Sequence, residues 1–393
     1  MSNKKRIGLV LPNHPSYSET FFISKIKGLQ QKGMEVVMFT NAQKKKDFKL
    51  CPVVYLKTKL SFISFIKEAF IFLYIIFTQF KRVILLFSLN KKDKMRFFKN
   101  IKNIFLNRYF LNQKLDWLHF GFGTMALERE NVAQTINAKM AVSFRGFDWY
   151  VYPVKNENCY QKLFKKEVKY HVLSKGMKSD LIQYGIHEEK IDVISPFIDV
   201  VKFHNNYDSF LKNNKEIKII SIGRLHWIKG YNYIFEALSI LKSKGIHFKY
   251  SIIGDGLEKE RLLFQAHQLG ISDNVTFYGK VDHDELTKIV IMHDIFIQYS
   301  NQEGFCNAVL EAQSMELLCV VSDADGLKEN VVDGETGWIV PKRSPLKLAN
   351  KLDEIVKLSF QESEIIKNNA RQRVEQNFNF EIQINNFITF YNK

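Results

Sequence analysis

Short runs of apolar residues, each closed by glycine or a polar turn and followed by helix-spaced hydrophobics, recur along the chain. The first run, RIGLVL at 6–11, predicts a buried strand. A polar loop at 12–18 leads into a helix near 19–32, Gly33 ends it, and apolar 34–39 predicts a second strand. Strand, loop, helix, glycine, strand is the start of a parallel α/β sheet, whose crossovers need helices and whose strands are buried on both faces. Further strands are predicted at 117–120, 140–144, 171–173 and 191–194, the first two with Gly121 and Gly146 close behind.

From Pro196 to Asn214 the pattern lapses into an irregular polar stretch, and then the series restarts. Strands are predicted at 217–222, 248–253, 275–278, 295–299, 318–322 and 338–340. The first helix of this half carries Tyr231, Ile234, Phe235, Leu238 and Leu241 on one face. Two α/β series in one chain of 393 residues predict two Rossmann-like domains facing across a cleft, with ligands at the carboxyl ends of the strands. The expected boundaries are 1–198, 199–374 and a C-terminal helix at 375–393 that packs back on the first domain.

Charge changes this picture in one place. The net charge is +16, yet residues 1–120 hold 23 Lys/Arg against 6 Asp/Glu, so the first third carries all of the excess. Within it, residues 60–110 join an apolar and aromatic run, densest at 69–77, to Lys81, Arg82, Lys91, Lys92, Lys94, Arg96, Lys99, Lys102 and Arg108. The run is short of the ~20 residues a spanning helix needs. It predicts helices that lie in the headgroup layer of an anionic membrane, with a core helix beside a solvated basic neighbour as the alternative. No nucleic-acid motif accompanies the charge. The four cysteines show no paired spacing, which fits a reducing cytoplasm.

Two segments carry candidate chemistry. Gly223-Arg224-Leu225-His226-Trp227-Ile228-Lys229-Gly230 directly follows a predicted strand and brings two cations to its end, suited to a diphosphate that becomes a leaving group. Glu303-Gly304-Phe305-Cys306-Asn307-Ala308-Val309-Leu310-Glu311 puts one carboxylate before a helix and one inside it. Both can accept hydrogen bonds from ligand hydroxyls, while the helix N-terminus, with Asn307 and Ala308 in its first turn, suits an anion. Read alone, each also fits a solvated basic loop or a helix-dipole carboxylate.

Together, in this order, the two segments resemble the signature of the retaining GT-B glycosyltransferases of family 4, G-R-x-x-x-x-K-G followed by E-x7-E. Phe277–Val281, Asp333–Pro341, Ser18-Glu19-Thr20-Phe21 and 191–203 resemble further family segments, the S-E-T-F start being found in members that build surface glycans. The resemblance implies that Arg224 and Lys229 hold a donor diphosphate, Glu311 the ribose and the Val281 main chain the base. It assigns the donor sugar to Glu303 with the Gly304 and Phe305 amides. It further implies sugar transfer from a nucleotide diphosphate to a glycan acceptor, lipid-linked, with retention and without metal or other cofactor. The enzyme would then sit peripherally on the inner face of the cell membrane. Arg145 stands where the family commonly has His, and it joins Ser18, Glu19 and Asp148 as acceptor-side candidates. The alternatives are a nucleotide-sugar epimerase on the same fold and a non-catalytic membrane-associated scaffold.

Overall fold

The computed structural model describes residues 4–15, 20–42, 48–56, 62–203 and 216–393. Ser18, Glu19 and most of the expected linker lie outside them. The chain divides into two units: residues 1–172, 178–194 and 384–393 form the first, and 173–177 with 195–383 the second.

The first unit is built on seven parallel strands: β1 (Arg6–Leu11), β2 (Glu35–Thr40), β3 (Val53–Tyr55), β4 (Trp117–Phe120), β5 (Lys139–Ser143), β6 (Val168–Val172) and β7 (Ile191–Val193). Their order is β3-β2-β1-β4-β5-β6-β7. Strand β1 lies centrally, with Ile7 paired to Val36 on one side and Trp117 on the other. Its residues from Ile7 onward are buried, which explains the unbroken apolar run. Helix α1 (Thr20–Gln31) connects β1 to β2. The sequence pattern misses β3, a three-residue edge strand that is only half-buried. It truncates β6, where Lys169 interrupts the apolar residues and pairs with Asp192 at 3.0 Å. The C-terminal residues pack here: the Trp117 indole N–H donates to the Tyr391 carbonyl at 3.0 Å.

Between β3 and β4 stand α2 (Phe62–Thr78), α3 (Phe80–Lys92) and α4 (Phe97–Leu111). Two cations that the sequence places on a basic surface turn to partners within the protein, one of them wholly buried. Arg108 is fully buried and pairs with Glu68 at 2.7 Å, with the Tyr109 hydroxyl donating to the same carboxylate. The Arg82 guanidinium donates to the Leu111 and Gln113 carbonyls at 2.6 and 2.9 Å, satisfying the open end of α4. Asn90 bonds to Asn100 and Asn103 across the α3–α4 contact.

The second unit holds β8 (Ile217–Ile222), β9 (Phe248–Ile253), β10 (Val275–Gly279), β11 (Ile295–Gln298), β12 (Leu318–Ser322) and β13 (Trp338–Val340) in the order β10-β9-β8-β11-β12-β13, all parallel. The chain order reverses between β8 and β11, the position at which open α/β sheets bind ligands. The helix Tyr231–Ser243 buries the five residues its spacing predicts. Both units are therefore Rossmann-like α/β sheets.

Candidate functional site

The loop leaving β8 is held against the end of β9. The Gly223 amide donates to the Ile253 carbonyl at 2.9 Å, the Leu225 amide to the Asp255 carbonyl at 3.1 Å, and the Tyr231 hydroxyl to the Gly223 carbonyl at 3.0 Å. A single 3-10 turn, Trp227–Lys229, then presents Lys229 and stops at Gly230 with φ +66°. Only glycine fits there, since a Cβ would lie 2.2 Å from the Tyr299 carbonyl oxygen.

That close approach brings the loop after β11 alongside. The Asn301 amide donates to the Ile228 carbonyl at 2.6 Å, and its side chain donates to the Trp227 carbonyl at 2.8 Å. The Lys229 ammonium lies 2.5 Å from the Glu303 carboxylate, and the Ser300 hydroxyl donates to the same oxygen at 3.3 Å. Burial works against the Lys229 charge, but the adjacent Glu303 carboxylate outweighs it and raises the ammonium above its ordinary value. Lys229 is thus a fixed cation. Arg224 is exposed two residues past β8, and its charge is felt at Lys229 as a repulsion.

A third loop, after β12, closes on the second. The Gly326 amide donates to the Glu303 carbonyl at 3.0 Å, and a Cβ at Gly326 would meet the Gly304 carbonyl at 1.8 Å. Asn330 donates to the Cys306 carbonyl and accepts from its amide, fixing the start of the helix Asn307–Ser314. Gly304 and Phe305 are buried, and among the described residues their amides donate to no protein acceptor. Among the described residues, the two N–H groups that follow Glu303 in the chain are thus without a protein acceptor just ahead of a helix N-terminus, where the backbone favours negative charge. Burial lifts the Cys306 thiol to about 11, so it stays protonated beside Lys229.

The structure joins Lys229 and Glu303 directly and puts Arg224 in their field. Asn307 and Ala308 are half-buried in the first turn of the helix. Glu311 is buried further along it, where burial lifts its carboxyl to about 7 and the Lys202 ammonium pulls it back. The Val281 side chain is buried just past β10. The acceptor-side candidates belong to the first unit. Asp148 is fully buried and accepts from the Gly123 and Arg145 amides at 2.5 and 3.0 Å; burial lifts it to about 7. The Arg145 guanidinium lies over the Phe21, Phe22 and Phe122 rings. Asp148 thus ties the helical turn Phe147–Val151 to the segment that starts at Gly123. Sequence reasoning missed Ser300, Asn301 and Asn330, because nothing distinguishes such residues from ordinary loop polars until their carbonyl partners are known.

Residues 203–373 match the family model described as glycosyl transferases group 1. The amylovoran biosynthesis glycosyltransferase AmsK of Erwinia amylovora is 28% identical over 272 residues, covering 67% of this chain and 66% of AmsK, a little under two thirds of its length. Among solved structures, a glycosyltransferase from Rickettsia africae superposes with TM-score 0.72 at 20% identity, over 99% of this chain and 98% of its own. Anabaena HepE in complex with UDP gives TM-score 0.72 at 16% identity, over 98% of both chains. At these identities the two structures establish a shared fold.

Proposed function

We propose that this chain, whose residues 203–373 match the model of glycosyl transferases group 1, is a glycosyltransferase that moves a sugar from a nucleotide diphosphate to a growing glycan. The observation that carries the reading is the 2.5 Å contact between Lys229 and Glu303. A nucleotide sugar joins an anion to a polyhydroxylated ring through one bond. A site that breaks it needs a cation and a hydroxyl acceptor within a few ångströms of each other.

In this reading Arg224 and Lys229 hold the diphosphate. Negative charge builds on it as the sugar's anomeric C–O bond breaks, and two permanent cations stabilise that charge more in the transition state than in the ground state. They supply what a divalent ion would otherwise supply, so transfer proceeds without metal. Glu303 and the Gly304 and Phe305 amides orient the sugar, Glu311 accepts from the ribose hydroxyls, and the Val281 main chain meets the base. The acceptor hydroxyl attacks the anomeric carbon from the face the phosphate leaves. Its proton passes to the departing phosphate oxygen, and configuration is retained. The acceptor is a lipid-linked saccharide of a polysaccharide or surface-glycan pathway, met at the inner membrane face. UDP is the first nucleotide to test, since HepE was solved with UDP bound.

The test is incubation of the purified protein with UDP- and GDP-sugars and a lipid-saccharide extract in excess chelator, followed by NMR of the product's anomeric centre. The expected outcome is acceptor-dependent nucleotide release and a new linkage of unchanged configuration. Nucleotide release with no acceptor, or no transfer from any donor, would defeat the reading.

A further inference from the structure

Helix α2 sets Ile66, Phe70, Leu73, Tyr74 and Phe77 outward, at steps of three and four residues, so the five share one side of the helix. All are exposed, Phe70 at 69% and Phe77 at 81%. Soluble surfaces rarely carry a continuous apolar stripe of this kind. The opposite side of α2 is locked in place: Glu68 is buried against Arg108, whose guanidinium stacks on the Phe105 and Tyr109 rings. The outward direction of the stripe is therefore fixed by packing.

Charge identifies the occupant. Residues 62–111 contain ten Lys/Arg and two acids, Glu68 and Asp93. Glu68 is consumed by Arg108, and Asp93 by Lys166 at 2.7 Å and Lys162 at 3.5 Å. No carboxylate of the three helices remains to face outward, while Lys81, Lys91, Lys92 and Lys94 are exposed. A second copy would bring the same positive field and be repelled. A bilayer of anionic lipid offers hydrocarbon for the stripe and phosphate for the lysines.

We infer that the α2 stripe, flanked by the lysines of α3 and its C-terminal turn, docks this protein on an anionic bilayer, with α2 lying in the interface. Among the described residues no single helix is long and apolar enough to cross a membrane. The chain bends by 97° between α2 and α3, and α3 carries the exposed Lys81 in its first turn. A helix tied to its neighbour by a buried ion pair and followed by an exposed cation lies along the surface. The inference rests on the lipid-linked reading for its biological sense, but its test reads binding and not sugar transfer.

The test is flotation of the full chain with phosphatidylcholine vesicles, with and without phosphatidylglycerol, alongside size measurement in lipid-free buffer. Wild type is expected to float with the anionic vesicles alone and to release in high salt. The Phe70→Glu/Phe77→Glu protein should lose about tenfold or more in partitioning, and Lys91→Glu/Lys92→Glu a comparable factor on anionic vesicles. Both pairs are exposed, so unfolding midpoints should match wild type. Equal flotation of wild type and both variants overturns the inference. So does a lipid-free dimer that the Phe70→Glu/Phe77→Glu change splits. Vesicle binding without sugar transfer would leave the docking surface standing and defeat the proposed function instead.

Discussion

Two ion pairs, one in each unit, have similar chemistry and opposite surroundings. Arg108 and Glu68 meet at 2.7 Å with their side chains 0% and 1% exposed; Lys229 and Glu303 meet at 2.5 Å with theirs 19% and 17% exposed. The first is sealed between helices and braced by Tyr109, whose hydroxyl burial pushes up to about 12. The second opens at the strand ends, just before two amides in the chain that, among the described residues, donate to no protein acceptor. A sealed pair can only hold structure together. A partly open one can exchange partners with a ligand, because its charges are already desolvated on one side and reachable from the other.

The sharpest way to break this contrast is to remove one member of the sealed pair. Arg108→Ala leaves the Glu68 carboxylate buried without its cation and should cost roughly 3–5 kcal/mol in urea unfolding. A loss below about 1 kcal/mol would show that water reaches Glu68 and that the pair is not sealed. The matching change in the open pair, Glu303→Ala, should lower kcat by about 10²–10³-fold, or roughly 3–4 kcal/mol, with stability altered by less than about 1 kcal/mol. Steady-state kinetics and unfolding on one preparation separate the two effects.

Glu311 sharpens the comparison through pH. Burial raises its carboxyl to about 7, above the ~4.3 of an unfolded glutamate. Below pH ~4 both states are protonated and the residue costs nothing; as pH climbs from about 4 to about 7 the folded state loses stability because it keeps the proton that the unfolded one gives up, and above 7 the loss is complete. Glu311→Gln should therefore stabilise the protein by roughly 3–4 kcal/mol at pH 8 and by nothing near pH 4. Wild-type donor affinity should rise across pH 7 as the carboxylate forms, and the Gln variant should lose that rise. Smallest of all, Asn301→Ala removes the side-chain bond that stitches two site loops together, and should cost about 1 kcal/mol with a raised KM.

Most of the fold could be read from the chain, for a physical reason. Strands buried on both faces, such as β1 and β12, are nearly continuous apolar runs, whereas β3 is a half-buried edge of three residues and leaves little signal. Within the site, the spacing of Arg224, Lys229, Glu303 and Glu311 was legible as a motif. The contact between Lys229 and Glu303 was not, because 74 residues separate them and only the sheet order brings them together. Arg108 shows the opposite failure. In the sequence it is one more cation in a basic run, and only its burial against Glu68 shows that it belongs to the interior.

The most direct measurement of the central claim is calorimetric titration of UDP and of a UDP-sugar into wild type, Lys229→Ala and Glu303→Gln. If Lys229 holds the diphosphate and Glu303 the sugar, Lys229→Ala weakens both ligands. Glu303→Gln then weakens only the sugar nucleotide, leaving UDP equal or tighter because the ammonium is no longer shared. Equal loss of UDP binding in both variants, or no loss in either, would contradict the account.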